Sequence, residues 1–365
     1  MKPFLSAVLL LGVLLSSRAE QAPSPVVLGY YPSWTDELPV EKINYRLFTH
    51  LVHAFATIHH GSIKVEGNLP SSDLTRLAHA AGVKVLLGLG GADSGPDFSA
   101  MARDKASEDA CIKSLVKMVG DHGYDGIDVD WEFPAATEVD RVVDFVTKLR
   151  LALRQANPQA LVTMPLPAAD YYGQYFDGAR LAPLLDFVMI MTYDVHGPWK
   201  EGDGFSHSGF NSPLGETDSD PVDGHANSFQ KSADYWRGRG FADQQLLVGL
   251  PFFGHGFMVK KWGDTPLKAS SHTDLEYRKI FSLLSAGWQR KWDDQASVPW
   301  LQSPPGLPAE LISYDDPQSV ELKAKWAREA GLRGVFFWEI SQDFIEGRNV
   351  LVEAARKRLG LPPSP

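Results

Sequence analysis

The sequence predicts an α/β chain folded as a (β/α)8 TIM barrel, with a small α+β insertion domain between the seventh and eighth strands. Eight short apolar, β-branched runs alternate with amphipathic helical patterns, which is typical of a barrel of parallel strands. The first run leads into GYYPSW and not into the G-x-G-x-x-G of a doubly wound sheet. The predicted strands are 26–31, 47–56, 83–89, 124–131, 161–166, 185–193, 246–253 and 334–338.

The helical patterns between these runs place apolar residues at three- and four-residue steps. The clearest pattern begins at Val139 and stops at Asn157-Pro158, where proline cannot continue a helix. Further helices are predicted near 71–81, 107–121, 226–238, 317–330 and 346–359.

One connection is too long for a single loop and helix. Roughly eighty residues separate Phe253 from Gly334, and compact domains rarely contain such a length without further structure. Residues 255–312 are therefore predicted to form a small α+β subdomain. Residues 20–254 and 313–365 are predicted to form the catalytic barrel.

The first residues predict export. Lys2 precedes an apolar run that ends near Leu15, and Ser17-Arg18-Ala19 follows as a small-x-small cleavage pattern. The apolar run is shorter than a membrane-spanning helix, so residues 1–19 are predicted to be a removed signal peptide. The protein is expected to be secreted or periplasmic and not membrane-bound.

The composition of the chain limits the kinds of partner that the protein is expected to bind. Without residues 1–19 the chain has 33 basic and 45 acidic residues, a balance of −12 that disfavours nucleic acid and anionic membranes. Cys111 is the only cysteine, so no intrachain disulfide can form, which favours a bacterial source. We expect a monomer that binds a neutral substrate.

The segment DGIDVDWEFP carries the chemistry. Asp128, Asp130 and Glu132 are two residues apart, so on a strand their side chains project to one face while the apolar residues between them face the other. Because the apolar face must pack on helices, the acidic face should line the barrel interior. Glu132 comes last, at the C-terminal rim where barrel active sites form.

Three carboxylates this close cannot all be charged at neutral pH, so at least one should hold a proton. A proton donor with a raised pKa beside an anion suits protonation of a glycosidic oxygen. The alternatives are a solvated strand end and a metal site, because hard cations also favour carboxylates. No matching His/Asp ligand set accompanies the cluster, so neither a metal nor a cofactor is predicted.

The same segment resembles the D-x-x-D-x-D-x-E signature of glycoside hydrolase family 18, the chitinase family, at Asp125, Asp128, Asp130 and Glu132. GYYPSW, LGLGG, MTYDVHGPW, GLPFFG and GVFFWEIS resemble the family's other strand motifs in the same order. The resemblance covers nearly the whole mature chain. The predicted subdomain resembles the family's chitinase insertion domain in a shortened form.

The resemblance implies hydrolysis of β-linked N-acetylglucosamine glycans, with retention, through attack by the substrate's own 2-acetamido oxygen. It implies that Glu132 protonates the leaving oxygen and later activates water. Asp130 would bind the acetamido N–H, and Asp128 would share a proton with Asp130. Tyr193 would donate to the acetamido oxygen, and Asp194 would contact the same sugar.

Aromatic and small residues complete the implied site. Trp338 is similar to the family's apolar floor beneath the scissile sugar, and Trp34 and Trp199 are candidate platforms for neighbouring sugars. Met191 should face the same pocket, and Tyr30 should support the buried aspartates. Gly90 and Gly91, in the strand-three motif, are interpreted as room for substrate at the barrel mouth.

Two motifs depart from the family pattern. Gly88 and Ala92 stand where S-x-G-G-W is common, and Phe253-Gly254-His255 stands where Y-G-R is common. The chain therefore lacks a hydroxyl, an indole, a phenol and a guanidinium near the sugar. Soluble oligosaccharides are expected over crystalline chitin. The alternatives are an endo-β-N-acetylglucosaminidase acting on cell-wall or glycoprotein glycans, and a non-catalytic chitin-binding lectin.

Overall fold

The structure is a computed structural model that describes residues 24–59, 61–201, 204–217 and 228–361. The predicted signal peptide, residues 1–19, lies outside the described residues. Within the described ranges, no helix is both long enough and apolar enough to cross a membrane.

Eight parallel strands form a closed barrel, as the sequence predicted. Each strand pairs with its neighbours in chain order, and the first strand pairs with both the second and the last, which closes the sheet. The strands are β1 (Val26–Pro32), β2 (His50–His59), β3 (Lys84–Gly91), β4 (Gly126–Trp131), β5 (Leu161–Pro167), β6 (Phe187–Met191), β7 (Leu246–Pro251) and β8 (Gly334–Trp338).

Helices surround the barrel, but not after every strand. They are α1 (Ser72–Ala80), α2 (Gly95–Arg103), α3 (Lys105–His122), α4 (Val139–Ala156), α5 (Asp170–Gly173), α6 (Gly178–Leu181), α7 (Phe229–Gly238), α8 (Tyr277–Ser285), α9 (Pro317–Glu329) and α10 (Val350–Leu359). Short 3-10 helices cover Val40–Lys42, Tyr45–Leu47, Ala136–Glu138 and Asp243–Gln245.

The alternation of strands with full helices is interrupted at two places, after β1 and after β5, where the sequence predicted no helix either. Only 3-10 turns follow β1, and only the single-turn helices α5 and α6 follow β5. Pro39 interrupts the first connection, and Gly173 and Pro183 interrupt the second. Proline lacks the N–H that a helix interior needs, and glycine weakens helices through its backbone freedom.

Between β7 and β8 the chain forms a five-stranded antiparallel sheet with helix α8. In spatial order its strands are Leu275–Glu276, Phe253–Phe257, Leu311–Ser313, Val298–Gln302 and Gln289–Asp293. The sheet begins only two positions after β7 ends at Pro251, so Phe253 and His255 lie where the barrel mouth meets the inserted sheet. The predicted domain boundaries at 255 and 312 stay a prediction.

Short strand pairs complete the described secondary structure. Ser62–Lys64 pairs with the end of β2. The other two pairs are Lys200–Glu201 with Gly204–Phe205, and Phe344–Ile345 with Arg348–Asn349.

The apolar face of β4 anchors the strand to the helices outside the barrel. Trp131 is 1% exposed. It stacks on Phe98 of α2 at 4.7 Å between ring centroids and meets Phe145 of α4 edge-on at 6.5 Å. Burying an aromatic side chain this fully contributes about 2–3 kcal/mol of apolar transfer. The outward direction of Trp131 turns Asp128 and Asp130 into the barrel.

Candidate active site

The acidic face of β4 lies inside the barrel. Asp128 is fully buried, Asp130 is 4% exposed, and Glu132 is half-buried just beyond the last residue of the strand. The side chains therefore pass from the closed interior to the open C-terminal mouth, in the order that strand alternation predicted.

Asp128 is held by hydroxyl groups from two other strands. Tyr30 Oη donates to Asp128 Oδ2 at 2.8 Å, and Thr163 Oγ1 donates to Asp128 Oδ1 at 2.6 Å. Burial raises the pKa of Asp128 to about 6, while both hydrogen bonds act in the opposite direction. Hydroxyls from β1 and β5 thus hold the aspartate, although Gly88 of β3 brings none.

Asp130 and Glu132 form a coupled acid pair. Their side chains share a hydrogen bond, and Oδ1 of Asp130 has no hydrogen-bond partner. Burial, followed by the charges of Glu132 and Asp128, holds the pKa of Asp130 well above its ordinary value. Burial raises the pKa of Glu132 to about 7, with Asp194 and Asp93 adding to the rise. One proton shared by the pair satisfies both effects.

The two aspartates have different hydrogen-bond partners. The oxygens of Asp128 accept from Tyr30 and Thr163, and the hydrogen bond of Asp130 goes to Glu132. The implied sharing of a proton between Asp128 and Asp130 stays a prediction. Oδ1 of Asp130 is buried without a hydrogen-bond partner.

Ser94 fixes the direction in which β4 ends. Its hydroxyl donates to the carbonyl of Asp130 at 2.9 Å and accepts from the N–H of Glu132 at 3.0 Å. The N–H of Gly95 donates to the carbonyl of Glu132 at 2.8 Å. The loop after β3 thus holds the backbone on both sides of Trp131, which positions the Glu132 side chain.

Tyr193 and Asp194 follow β6, and hydrogen bonds with Asn211 and Ser212 hold the backbone around them. The N–H of Asp194 donates to Asn211 Oδ1 at 2.8 Å. Ser212 Oγ donates to the carbonyl of Thr192 at 2.6 Å and accepts from the buried ammonium of Lys323 at 2.9 Å. Tyr193 is 7% exposed.

The Tyr193 hydroxyl stays protonated. Burial raises its pKa well above the ordinary value, and the negative charges of Asp194, Glu132, Asp130 and Asp128 add to the shift. The phenol is therefore a hydrogen-bond donor at any pH where the protein is active.

An aromatic stack covers the mouth near β8, β1 and β2. The ring of Phe55 lies between Trp338 at 5.8 Å and Trp34 at 6.3 Å, with interplanar angles of 21° and 22°. Tyr30 meets Trp338 edge-on at 5.3 Å. Trp338 and Phe55 are half-buried, and Trp34 is 55% exposed. Such a surface suits the apolar C–H faces of sugar rings.

The remaining aromatic and sulfur candidates lie near β6. Met191 is half-buried and packs in the inner cluster with Tyr193 and Trp338. Trp199 is 45% exposed, and its ring meets His255 edge-on at 6.0 Å. The structure thus brings Met191 to the cluster that contains Tyr193 and places Trp199 beside His255.

Backbone geometry requires glycine at positions 90 and 91. The φ of Gly90 is 111°, and a Cβ there would lie 2.0 Å from the carbonyl oxygen of Asp130. At Gly91, with φ 97°, a Cβ would meet the ring of Phe55 at 2.8 Å. The interpretation of these glycines as room for substrate stays a prediction.

Asp125 lies at the opposite end of β4. Its Oδ2 accepts from the N–H of Val85 at 2.7 Å and pairs with His79 Nε2 at 2.8 Å. It joins the lower ends of β3 and β4, so it supports the strands and does not reach the mouth.

Four residues of the site escaped the sequence argument: Asp93, Ser94, Phe55 and Thr163. The alternation of β5 places Thr163 in register with Asp128, but only the strand pairing identifies that neighbour. Asp93 and Ser94 lie in a loop, where no periodic signal exists. Within the described ranges, no group of three or more His, Cys, Asp and Glu side chains has the geometry of a metal site.

A closed (β/α)8 barrel with an acid pair and an aromatic floor at its C-terminal mouth defines the class, a glycoside hydrolase. The model of the family described as Glycosyl hydrolases family 18 matches residues 26–343. The chain therefore belongs to glycosyl hydrolase family 18, and it is a chitinase-like enzyme.

Relatives that match the chain over most of its length support this assignment. A chitinase-like effector of Moniliophthora roreri is 27% identical, over 97% of this chain and 98% of that protein. An endochitinase of Manduca sexta is 25% identical, over 97% of this chain and 71% of its own length. The crystal structure of an immunomodulatory active chitinase from Trichuris suis matches with a TM-score of 0.84 and 25% identity, over 92% of this chain and all of that one.

Proposed function

We propose that the protein hydrolyses β-1,4-linked N-acetylglucosamine oligosaccharides with retention of configuration, using Glu132 as general acid and base. The observation that carries the proposal is the hydrogen-bonded pair of Asp130, buried in the barrel, and Glu132, half-buried at its mouth. A carboxylic acid with a pKa of about 7 beside a carboxylate can protonate a leaving oxygen at neutral pH.

In the first step, the proton of Glu132 passes to the glycosidic oxygen as the bond from that oxygen to the anomeric carbon breaks. The sugar's acetamido oxygen forms a bond to the same carbon, which gives a cyclic oxazolinium ion. Asp130, now the carboxylate, accepts the acetamido N–H and stabilises the positive charge. Tyr193 donates its hydroxyl to the acetamido oxygen and holds it in line.

In the second step, the Glu132 carboxylate takes a proton from water as the water oxygen attacks the anomeric carbon. The bond to the acetamido oxygen breaks, and the pair regains the proton it began with. Two inversions leave the new hydroxyl in the β configuration. Trp338 supports the apolar face of the reacting sugar, and Trp34 and Trp199 support its neighbours.

The test is a product analysis with three substrates: chitooligosaccharides, muropeptides and a high-mannose glycopeptide. Mass spectrometry should find shorter N-acetylglucosamine oligomers from the first substrate. Proton NMR in the first minutes should find the β anomer of the new reducing end. An α anomer at first turnover would contradict the substrate-assisted mechanism.

Two other outcomes correspond to other functions. Ala92 is exposed where the family pattern carries tryptophan, which leaves the leaving-group side open to branched glycans. Cleavage of only the muropeptides or the glycopeptide would identify a cell-wall or glycoprotein endo-β-N-acetylglucosaminidase. Binding of chitooligosaccharides with no new reducing ends would identify a non-catalytic lectin.

The rate of hydrolysis should fall as the pH rises above 7. Glu132 must carry its proton to act as an acid, and burial raises its pKa to about 7, so kcat/KM should decline as pH rises through that value. The Asp93 charge adds to this rise, so Asp93→Asn should move the alkaline limb to lower pH. Asn suits the φ of 61° at that position.

The matched control is Asp97→Asn, the same change on an exposed turn of α2. Asp97→Asn should leave the alkaline limb of the kcat/KM profile unchanged. If Asp93→Asn also leaves that limb unchanged, a group other than Glu132 controls the decline of kcat/KM with rising pH.

Export is a further part of the proposal. Lys2, the apolar run after it and the small-x-small pattern ending at Ala19 support removal of residues 1–19. Mass measurement of the protein recovered from the medium or periplasm should give an N-terminus at Glu20.

A further inference from the structure

Two residues of the proposed site lie beyond the strand that carries them. β6 ends at Met191, so the pairing that fixes a barrel strand no longer holds Tyr193 and Asp194. Asp194 also has φ 58°, a left-handed conformation that aspartate adopts at a cost in energy. Hydrogen bonds from other parts of the chain must therefore determine where the Tyr193 hydroxyl lies.

Thr192, the residue before Tyr193, is fixed at both its side chain and its carbonyl. Its hydroxyl donates to the carbonyl of Gly249 in β7 at 2.7 Å and accepts from the N–H of Gly249 at 2.8 Å. Its own carbonyl accepts from Ser212 Oγ at 2.6 Å. That carbonyl lies in the plane of the peptide between residues 192 and 193, so its direction sets the direction of the backbone at Tyr193.

A buried ammonium group approaches Ser212 from α9. The side chain of Lys323 is 0% exposed, and its Nζ lies 2.9 Å from Ser212 Oγ. The same Nζ lies 2.7 and 2.6 Å from the two carboxylate oxygens of Asp315, which also accepts from Ser319 Oγ at 2.6 Å. An ammonium has three N–H groups, and here each of them has its own acceptor.

Counting donors gives these hydrogen bonds one direction. An ammonium only donates, so the Ser212 oxygen accepts from Lys323, and the single hydrogen of the hydroxyl is left for the Thr192 carbonyl. A serine hydroxyl without such a neighbour rotates to whichever acceptor suits it. The interaction therefore runs from Lys323, through Ser212, to the peptide that precedes Tyr193.

Stabilisation alone is a poor explanation for the charges on Lys323 and Asp315. Replacing a buried ion pair by apolar residues of similar volume is often neutral or stabilising, because taking two charges out of water costs about as much as their attraction returns. What apolar residues cannot do is donate a hydrogen bond to Ser212. The specific contribution of the charged pair is thus a fixed donor beside the site.

We propose that Lys323 is a positioning residue, which acts through the Ser212 hydroxyl on the peptide before Tyr193 and so holds the Tyr193 hydroxyl where the sugar's acetamido oxygen binds. The proposal rests on the proposed function, because this position matters to turnover only if Tyr193 contacts a sugar. Asp194 is held separately, since its N–H donates to Asn211 Oδ1 at 2.8 Å.

The first experiment is a double-mutant cycle between Ser212→Ala and Tyr193→Phe on a chitooligosaccharide substrate. With Tyr193 present, Ser212→Ala should lower kcat about tenfold and change KM little, because misplacing a catalytic group slows the reaction more than it weakens binding. With Tyr193→Phe, the same change should lower kcat less than about twofold, since the hydroxyl that Ser212 positions is absent.

The matched control for Ser212→Ala is Ser208→Ala. Ser208 is buried in the same segment after β6, and its hydroxyl has no hydrogen-bond partner among the residues that the structure describes. Ser208→Ala should leave kcat unchanged whether residue 193 is tyrosine or phenylalanine.

The second experiment removes the charges. Lys323→Met alone would leave Asp315 buried without its cation, which is strongly destabilising, so it is combined with Asp315→Leu. Ser319 Oγ keeps the carbonyl of Asp316, at 3.1 Å, as an acceptor. This pair of changes should lower kcat about as much as Ser212→Ala does, and adding Ser212→Ala should cost little more. If a melting curve shows that the pair is unfolded, Lys323→Leu with Asp315→Asn replaces it.

A third measurement needs no substrate. In ligand-free protein labelled with ¹³C at the ζ carbon of tyrosine, the Tyr193 resonance is identified by its loss in Tyr193→Phe. Its chemical shift should change in Ser212→Ala and in the variant that lacks both charges, and it should stay in place in Ser208→Ala. A residue that only adds stability would lower Tm without moving this resonance at a temperature well below Tm.

The outcomes separate this inference from the proposed function. If the wild type hydrolyses oligosaccharides but Ser212→Ala lowers kcat by the same factor with and without the Tyr193 hydroxyl, Ser212 does not act through Tyr193 and the inference is wrong. Wild-type kcat in the folded variant without the two charges would equally remove Lys323 from this role. If no substrate is cleaved, the proposed function fails, and the Tyr193 resonance still decides whether Lys323 and Ser212 position its ring.

Discussion

Glu132→Gln is expected to slow the hydrolysis of chitooligosaccharides at least about 100-fold, the usual contribution of a general acid. The amide has nearly the shape of the acid but cannot transfer a proton to the leaving oxygen. The hydrogen bond between Ser94 and the N–H of residue 132 is made by the backbone and remains. Steady-state kinetics measures the loss, and calorimetry with the uncleaved substrate should find binding largely preserved.

The leaving group makes this test specific. A dinitrophenyl glycoside leaves without protonation, so its cleavage by Glu132→Gln should be much closer to the wild-type rate in the first step. The control is Glu339→Gln, because Glu339 is also buried with a pKa of about 7 but accepts hydrogen bonds from Ser341. Equal losses in both variants would mean that any buried carboxylate matters and that Glu132 is not the acid.

Asp130→Asn should reduce kcat by about 100- to 1,000-fold on every substrate, the range for removal of one preorganised group that stabilises a developing charge. The cationic intermediate forms whichever group leaves, so a dinitrophenyl leaving group should not rescue this variant. KM should change far less than kcat, since Asp130 acts on the transition state more than on the bound sugar. Measuring both variants on both substrates separates acid catalysis from charge stabilisation.

Asp186→Asn is the matched control for this second prediction. Asp186 pairs with Arg150 at 3.2 Å and with Arg154 at 2.8 Å on the outside of the barrel, away from the mouth. The variant should be less stable to heat but have the wild-type ratio of rates on the two substrates. Recovery of Asp130→Asn with the activated substrate would contradict the role given to Asp130.

The sequence predicted the barrel because parallel strands buried on both faces leave a repeated local signal. It also predicted the direction of the acids, since the two-residue alternation that sends Trp131 outward must send Asp130 inward. No helix was predicted after β1 or β5, and the structure has only 3-10 segments and single turns there, where prolines and glycines interrupt the connections.

What the sequence by itself determined is local: the strands, the acidic ladder and Glu132 at its open end. What only the tertiary structure decided is which distant side chains meet these acids. Thr163 and Tyr30 each donate to one oxygen of Asp128, the hydrogen bond of Asp130 goes to Glu132, and His255 reaches Asp194 from an inserted sheet. Hydrogen bonds depend on distances of about 3 Å, and closure of the barrel sets those distances between residues far apart in the chain.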